Sequence, residues 1–384
     1  MISSMLDNDQ YKFTMQQAIL KLGFAAVPVE YKFKCRRPQV DFSIFFNKIK
    51  NEIFNLRNLT FKKDELDYLR SLRYFSSEYV DFLKNFKFDL EHVFLDMKQN
   101  GDLDIRIRGP WFQTILFEVP ILATISEVYS TFKKADHMIA KNILLNKLDG
   151  MPANFKFVDF GTRRRYSFDW HEETVSFLKG EKPKNFIGTS NLYLAKLLNI
   201  PAIGTMAHEW LQAHQQLNYR VVDSQKMAFE NWIKVYRGDL GIALSDVINT
   251  DAFLKDFEDP FFYKLFDGVR EDSEPDPIQF GHKIINFYLS HGIQPRDKTI
   301  VFSNGLNFKK AYEIYDELHN LVGLSFGIGT NLTNDWGFEP LNIVIKMINC
   351  NESPVAKISN SIGKSMCEDE GYVEYLKYLF NVKS

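Results

Sequence analysis

The sequence has few cysteines, little net charge and no CxxC pair. Its three cysteines, Cys35, Cys350 and Cys367, are odd in number and far apart. This pattern argues against a disulfide framework and against a cysteine zinc site. The formal net charge is −2, and acidic and basic residues are mixed along the chain. We therefore expect no nucleic-acid partner and no membrane partner, and any anionic ligand must be held by a local cluster of charges.

Targeting signals are also lacking. Asp7 and Asp9 stand where a secretory signal would carry positive charge. No run approaches the roughly 18 apolar residues of a membrane span. We therefore expect a cytoplasmic protein. Its 384 residues, 45% of them hydrophobic, suit one large α/β barrel with additions, or two domains.

The first third of the chain mixes helical and strand patterns. We predict a helix over 7–23, capped by Asp7 or Asn8 and ended by Gly23. Alternating apolar residues predict half-buried strands over 29–37 and 102–109. The region between these strands, 43–100, is predicted to be mainly helical, and 111–129 combines strand-like and helical apolar runs.

From about residue 155 short apolar runs end in Gly plus a polar residue, and helical patterns follow them. This alternation is typical of a parallel sheet with crossover helices. Gly-Thr ends such runs four times, at 161–162, 188–189, 204–205 and 329–330. Each pair alone is a simple strand end. Together they favour one mouth lined with anion-binding turns, in which Gly admits backbone N–H groups and Thr adds a hydroxyl donor.

The segment PAIGTMAHEW (201–210) places His208 at the start of a predicted helix. HEWLQ does not match the zinc-protease pattern His-Glu-x-x-His, because position 212 is Gln. The positive end of the helix dipole should lower the pKa of His208 and attract anions. An uncharged imidazole beside phosphates can attack a phosphoryl group. A structural histidine that binds the strand ends is an equally weighted alternative.

Two charged segments follow strand-like runs. TRRR (162–165) places three guanidiniums at a strand end, with Arg163 and Arg165 on one side of an extended chain and Arg164 on the other. It is either a solvated basic face or, at a barrel mouth, an anion clamp. VRED (269–272) places Arg270 and Asp272 on one side of a strand. This pair is either a salt bridge or part of a site where Asp272 meets ribose hydroxyls or a magnesium shell.

Together these stretches resemble the nicotinate phosphoribosyltransferases. The matching segments run from residue 7 to about 359 and are DNDQYKFTMQQAIL, YKFKCR, GPWFQTILFEVPIL, DFGTRRRYS, IGTMAHEWLQAHQQ, FDGVREDS, TIVFSNGLN, LSFGIGTNLTND and PLNIVIKM…PVAKIS. DFGTRRR and GTMAHEW are the most specific of them. The resemblance implies a type II phosphoribosyltransferase fold, which is an α/β protein with an irregular, TIM-like α/β barrel and an N-terminal α+β domain. We expect the α+β domain over 1–125, the barrel over 126–340, and a C-terminal segment over 341–384 that packs back on the N-terminal domain.

The resemblance also implies an activity and its residues. Nicotinate and 5-phosphoribosyl pyrophosphate would give nicotinate mononucleotide and pyrophosphate, with Mg²⁺ and with ATP as co-substrate, in NAD salvage. Three groups of residues carry these roles: His208, the expected phosphohistidine, with Arg270 and Asp272 in catalysis; Tyr11, Phe160, Thr205 and Arg270 for nicotinate; and Gly161, Arg163, Arg164, Ser303, Gly305, Gly329 and Thr330 for the phosphoribosyl group and phosphates. Asp272 is the one candidate side chain for Mg²⁺, which otherwise comes with the substrate. Relatives leave a homodimer open, and with it whether Tyr11 serves its own subunit.

Two positions depart from the pattern that the family commonly shows. REDSEPDP (270–277) has Glu274-Pro275 where one Gly is usual, so this loop is longer and stiffer. FSNG (302–305) has Asn304 where the family carries an acid. Ser303 and the backbone of Gly305 are therefore expected to contact phosphate, and no acidic role falls on position 304.

Three other functions are alternatives to this interpretation. A transferase for nicotinamide or quinolinate is disfavoured by the HEW and FGTRRR segments. A non-catalytic nucleotide sensor on the same fold has the altered 273–277 loop as its only support. A metal-dependent barrel hydrolase lacks a set of ligands in the sequence.

Overall fold

A computed structural model describes residues 1–37, 40–358 and 367–382. The chain has a mixed α/β fold with a parallel sheet and a separate antiparallel sheet. It divides into two compact units, one formed by Met1–Gly204 with Ile328–Lys346 and the other by Thr205–Gly327 with Met347–Ser384. The domain limits derived from the sequence stay a prediction.

The first unit contains three antiparallel strands and the first two parallel strands. Its helices are α1 (Gln10–Lys21), α2 (Phe46–Asn55), α3 (Lys63–Ser71), α4 (Ser77–Leu83), α5 (Trp111–Thr114), α6 (Glu118–Phe132), α7 (His137–Leu148), α8 (Phe168–Glu181), α9 (Leu192–Leu198) and, late in the chain, Thr330–Thr333. Its strands are β1 (Pro28–Cys35), β2 (Val93–Met97), β3 (Leu103–Pro110), β4 (Phe157–Asp159) and β5 (Phe186–Thr189).

The second unit contains four parallel strands and the helices between them. The strands are β6 (Ile242–Leu244), β7 (Gly268–Glu271), β8 (Thr299–Phe302) and β9 (Gly323–Ile328), whose last residue belongs to the first unit. The helices are α10 (His208–Ala213), α11 (Ser224–Tyr236), α12 (Thr250–Phe257), α13 (Pro260–Leu265), α14 (Pro277–Ser290), α15 (Phe308–Leu318) and α17 (Glu370–Leu379). The short helix Thr330–Thr333 of the first unit is α16. Strand β10 (Ile343–Cys350) crosses the division between the units, and β11 (Ser353–Pro354) pairs with its end.

The two strands predicted in the first third of the chain are confirmed. They are β1 and β3, and they pair antiparallel with Tyr31 opposite Ile107. Val29, Tyr31 and Phe33 are buried, so the alternation in the sequence marks the core face of β1. The predicted helical region 43–100 contains α2, α3 and α4 but also β2, which pairs with the far edge of β3.

The N-terminal helix is shorter than predicted. It begins at Gln10 after the N-cap residue Asp9, and neither Asp7 nor Asn8 caps it. Asn8 instead donates to the carbonyl of Leu116 at 3.0 Å. Gly23 has a φ of 79°, which is the left-handed conformation expected just after a helix, so its predicted role is confirmed.

The expectation that no segment resembles a membrane span needs correction. Trp111–Phe132 has a mean hydropathy of 1.3 and is long and apolar enough to cross a membrane by length and composition alone. However, 89% of its most apolar 18-residue window is buried inside the protein, as in the core helix of a globular domain. The range 111–129, predicted to combine strand-like and helical runs, contains the helix α5 and most of α6 and no strand.

A fully buried ion pair joins the start of the chain to the segment after β4. Arg165 donates to both oxygens of Asp7, at 2.7 and 2.8 Å, and both side chains are 0% exposed. Asn191 donates to the same carboxylate at 2.8 Å. Burial alone would raise the pKa of Asp7, but the charge of Arg165 outweighs it and the pKa is lowered.

Asp7→Asn should destabilise the protein by about 3–5 kcal/mol, because it leaves the Arg165 guanidinium buried without its main counter-charge. Thermal and urea unfolding of the variant would measure this loss. Asp223→Asn is the matched control, because Asp223 pairs with Arg220, which is 81% exposed. The control should change stability by less than about 1 kcal/mol. Equal effects of the two variants would contradict the assignment.

Candidate functional site

Asp159, at the carboxyl end of β4, organises the polar residues of the first unit. Its Oδ1 accepts from the N–H of Gly161 at 2.8 Å. Its Oδ2 accepts from Thr189 Oγ1 and lies next to His171 Nε2, both at 2.6 Å. Burial alone would raise the pKa of Asp159, but His171 and the hydrogen bonds lower it. The end of β5 and the start of the FGTRRR loop are therefore fixed by one ionised carboxylate.

The FGTRRR loop turns instead of continuing as a strand. Thr162–Arg164 forms a single 3₁₀ turn, so the expected alternation of the three arginines across an extended chain is wrong. The reason is the bond from Gly161 to Asp159, which bends the chain back. Thr333 stabilises this turn, because its Oγ1 donates a hydrogen bond to the carbonyl of Gly161 at 2.9 Å. A Cβ on Gly161 would lie 2.2 Å from the Thr333 methyl group, so only glycine fits here.

The three arginines of this loop have different environments. Arg163 is 37% exposed and lies 3.2 Å from Glu118 and 3.9 Å from Asp9. Arg164 is partly buried, and its Nε donates to the carbonyl of Ile343 at 2.9 Å. Arg165 is fully buried against Asp7. TRRR is therefore not a uniform basic face, because Arg163 and Arg164 are half-buried and Arg165 is fully buried.

Buried charges surround Arg163. Lys12 is 0% exposed and pairs with Glu118 at 2.5 Å. Burial alone would raise the pKa of Glu118, but Lys12 and Arg163 outweigh it and lower that pKa. Asp9 accepts from Ser190 at 2.8 Å, and burial raises its pKa. These carboxylates limit the directions that the Arg163 side chain can take.

The other residues predicted in the first unit lie near this loop or near α1. Tyr11 is buried in the first turn of α1, and a Cβ on Gly204 would lie 3.3 Å from its backbone nitrogen. Phe160 donates its N–H to Ile328 at 2.9 Å, and a Cβ on Gly329 would lie 3.0 Å from the Phe160 carbonyl. Thr330 follows directly and starts a short helix. Gly161, Phe160, Gly329 and Thr330 thus come together, as their strand-end positions predict.

In the second unit Arg270 stands at the centre of a hydrogen-bond cluster. Its guanidinium donates to Ser303 Oγ at 2.8 Å, to Thr205 Oγ1 at 3.1 Å and to Asp272 Oδ2 at 3.2 Å. Ser303 Oγ also lies 3.1 Å from Asp272 Oδ1. Burial alone would raise the pKa of Asp272, but Arg270 and His208 lower it. The structure therefore brings together Thr205, Arg270, Asp272 and Ser303, which were predicted separately.

His208 is the first residue of α10, as predicted, and one edge of its ring is held by charged groups. Its Nε2 lies 3.0 Å from Asp246 Oδ1 and 2.8 Å from Lys357 Nζ. Its Nδ1 lies 3.8 Å from Asp272 Oδ2. The pKa of His208 is lowered as predicted, but the causes are burial and then Lys357, opposed by Asp246.

His214 has a structural role. Its Nδ1 lies 2.6 Å from the carbonyl of Trp210, and its Nε2 lies 3.0 Å from the amide of Asn231. Burial lowers its pKa to about 4, so this imidazole is neutral and fully engaged in the core. Within the described ranges no group of three or more His, Cys, Asp or Glu residues could hold a metal ion.

The two departures from the family pattern meet in the structure. The side-chain amide of Asn304 donates to the carbonyl of Glu274 at 3.2 Å. Glu274 in turn donates its N–H to Glu271 at 2.7 Å, and its carboxylate bonds to Thr250. A carboxylate at position 304 could not donate this bond, so the altered loop and the lost acid are physically matched. Gly305 follows with a φ of 55°.

The expectation that every Gly-Thr pair offers a hydroxyl donor is only partly right. Thr162 and Thr189 are fully buried, and the Thr189 hydroxyl is used by Asp159. Thr205 uses its hydroxyl to hold Arg270. Thr330 alone among the four is not buried. The threonines mainly position other groups, and the glycines allow close backbone approach.

Asp246 and Lys357 were missed by sequence reasoning. Asp246 follows β6 within SDV (245–247), so its position after a strand was a usable signal. Lys357 lies in PVAKIS, a segment that resembled the family but had no assigned role. No local pattern connects it to His208, because 149 positions separate the two residues.

Comparison with known proteins identifies the family of this chain. Residues 155–384 match the model of the nicotinate phosphoribosyltransferase (NAPRTase) family, and residues 6–126 match its N-terminal domain. The chain belongs to the nicotinate phosphoribosyltransferase family. It is 49% identical to a nicotinate phosphoribosyltransferase of Xanthomonas axonopodis pv. citri, over 99% of this chain and 98% of that protein.

Solved structures of the family have the same fold. The nicotinate phosphoribosyltransferase of Porphyromonas gingivalis is 34% identical, with a TM-score of 0.93 over 100% of both chains. That of Vibrio cholerae is 37% identical, with a TM-score of 0.95 over 100% of this chain and 95% of its own.

Gly161→Ala should displace the FGTRRR loop, because the new methyl group overlaps the Thr333 side chain. We expect a destabilisation of about 1–3 kcal/mol and at least a tenfold loss of transferase activity. Unfolding curves and initial rates would measure both effects. Gly180→Ala is the control, since Gly180 lies within α8 and a Cβ there meets nothing within 4 Å. A fully active Gly161→Ala variant would contradict the requirement for glycine.

Proposed function

We propose that this protein joins nicotinate to 5-phosphoribosyl pyrophosphate to form nicotinate mononucleotide and pyrophosphate, with ATP hydrolysis, in NAD salvage. Family membership supports the transferase reaction. The observation that carries the proposal furthest is the Arg270 cluster beside His208, which places a fixed guanidinium next to a neutral imidazole. We also propose that the parallel strands belong to an irregular α/β barrel and that the enzyme acts in the cytoplasm. A homodimer stays a proposal.

The transfer step needs orientation and charge neutralisation. The C1–O bond of the phosphoribosyl group breaks with its electron pair on the departing pyrophosphate, and the ring nitrogen of nicotinate supplies the pair for the new C1–N bond. The protein forms no covalent bond to the sugar in this step. Groups that are fixed before the reaction lower the barrier, because they need no reorganisation as charge develops.

Arg270 suits recognition of the nicotinate carboxylate. A planar guanidinium binds carboxylates in a defined geometry, and three side chains already fix its orientation. We propose that Thr205 acts with it on nicotinate, and that Tyr11 and Phe160 stack on the ring. Arg163, Arg164, Thr330 and the turns at Gly161, Ser303, Gly305 and Gly329 are proposed to bind the phosphoribosyl group and phosphates.

His208 is proposed as the acceptor of the γ-phosphoryl group of ATP. Asp246 and Lys357 occupy the Nε2 edge, so Nδ1 is the nitrogen left for reaction. Its lone pair forms the N–P bond while the P–O bond to ADP breaks with its electron pair on ADP. Hydrolysis of this phosphohistidine would then couple ATP use to substrate affinity as a binding linkage.

We propose no protein-held site for Mg²⁺ at Asp272. Its two oxygens already lie within hydrogen-bond distance of Arg270 and Ser303. We propose that Mg²⁺ accompanies the phosphate groups of the substrates, and no step above depends on it.

The reaction is tested by incubating the purified enzyme with 5-phosphoribosyl pyrophosphate and nicotinate, nicotinamide or quinolinate, each with and without ATP. We expect nicotinate mononucleotide and pyrophosphate in equal amounts from nicotinate alone of the three bases, at a higher rate with ATP. Faster turnover of another base would overturn the substrate assignment. Tight binding of nicotinate without turnover would favour the sensor instead.

His208→Asn should abolish labelling of the protein by γ-³²P-ATP and uncouple ATP hydrolysis from product formation. The loss is expected because Asn has no ring nitrogen that can accept the phosphoryl group. His282→Asn is the control, since His282 is an exposed histidine of α14 and should label like the natural enzyme. Continued labelling of His208→Asn, with hydrolysis still in step with product, would disprove the assignment.

A further inference from the structure

The second unit holds a lysine that the proposed mechanism does not yet use. The Lys357 side chain is 4% exposed, and its Nζ lies 2.5 Å from Asp246 Oδ2 and 2.8 Å from His208 Nε2. A buried ammonium ion is costly unless it is paired, so Lys357 and Asp246 are held together by mutual neutralisation. The imidazole of His208 is the third member of this triad.

The backbone around Lys357 is anchored on both sides. Ala356 exchanges two hydrogen bonds with the side chain of Gln215, donated by Gln215 at 2.8 Å and by the Ala356 N–H at 3.0 Å. The N–H of Ile358 donates to the carbonyl of Val247, the neighbour of Asp246, at 2.8 Å. Gln215 lies in the same HEWLQAHQQ segment as His208. These bonds fix the position of Lys357 relative to both of its partners.

Charge explains what this arrangement does for His208. The charged groups in contact with the ring are Lys357 and Asp246 at Nε2 and Asp272 on the Nδ1 side. Two carboxylates beside an imidazole would normally favour its protonated form, as in a buried Asp–His ion pair. A protonated imidazole has no lone pair at Nδ1 and cannot attack phosphorus. A cation that neutralises Asp246 removes this bias.

We propose that Lys357 is a positioning residue that neutralises Asp246 and thereby keeps His208 uncharged and nucleophilic at Nδ1. Asp246 then orients the His208 ring without stabilising its protonated form. This inference deepens the phosphohistidine step and rests on that proposed function. The proposal concerns the protonation state of His208, which can be measured without enzymatic turnover.

Lys357→Met tests the proposal, because it removes the charge and keeps an unbranched apolar stem. The imidazole ¹⁵N chemical shifts of histidine-labelled protein report the protonation of His208, and the His208→Asn spectrum assigns its signals. We expect the titration of His208 in Lys357→Met to move to higher pH by about one unit or more. The rate of labelling by γ-³²P-ATP should fall about tenfold on the acid side of the profile and recover as pH rises.

Lys298→Met is the matched control for loss of a buried lysine. Lys298 also lies in the second unit, and its Nζ donates to the carbonyls of Lys264 and Phe266 at 3.0 and 2.5 Å. It should leave the titration of His208 and the pH profile of labelling unchanged. A shift common to both lysine variants would assign the effect to general destabilisation and overturn the proposal.

Asp246→Asn provides a second arm with the opposite sign. It leaves Lys357 without its counter-charge, so the titration of His208 should move to lower pH. The double variant Asp246→Asn with Lys357→Met should lie between the two single variants. If the His208 signals do not move in either single variant, Lys357 has no electrostatic role. Absence of labelling in the natural enzyme would refute the phosphohistidine alone, and the ¹⁵N titration would still decide the role of Lys357.

Discussion

Buried negative charge at the ends of the parallel strands is the constraint on which the candidate site depends. Asp159 ends β4, Asp246 follows β6, and Asp272 follows β7. Low solvent access makes each carboxylate expensive unless a cation or several donors lie against it. His171, Lys357 and Arg270 meet that need. In each unit, these cationic and imidazole groups are thus placed by the carboxylates that require them.

The carboxylates at these strand ends are not all held in the ionised form. Glu271, the last residue of β7, is buried on the other face from Arg270, and burial raises its pKa to about 8. The charge of Asp272 raises this pKa further, and a backbone N–H that Glu274 donates to Glu271 opposes the shift. A mainly protonated Glu271 beside an ionised Asp272 keeps the negative charge of this strand end on the side of Arg270.

Local sequence predicted those features that depend on short spacing. The period of two along a strand placed Arg270 and Asp272 on one side, and helix-start rules placed His208 at the first position of α10. Local reasoning failed where long-range contacts decide. The TRRR segment turns because Asp159 binds Gly161, and Arg165 is drawn inward by Asp7, 158 positions earlier. Lys357 reaches His208 by a contact that no periodicity encodes.

The bond between Asn304 and the Glu274 carbonyl has a consequence for recombining this enzyme with its relatives. The two loops follow neighbouring strands, β7 and β8, yet they are inherited as separate stretches of sequence. A chimera that imports an acid at position 304 alone would set a carboxylate against a carbonyl oxygen. A chimera that imports the shorter 273–277 loop alone would leave the Asn304 amide to find another acceptor. The two loops form one module and should be exchanged together.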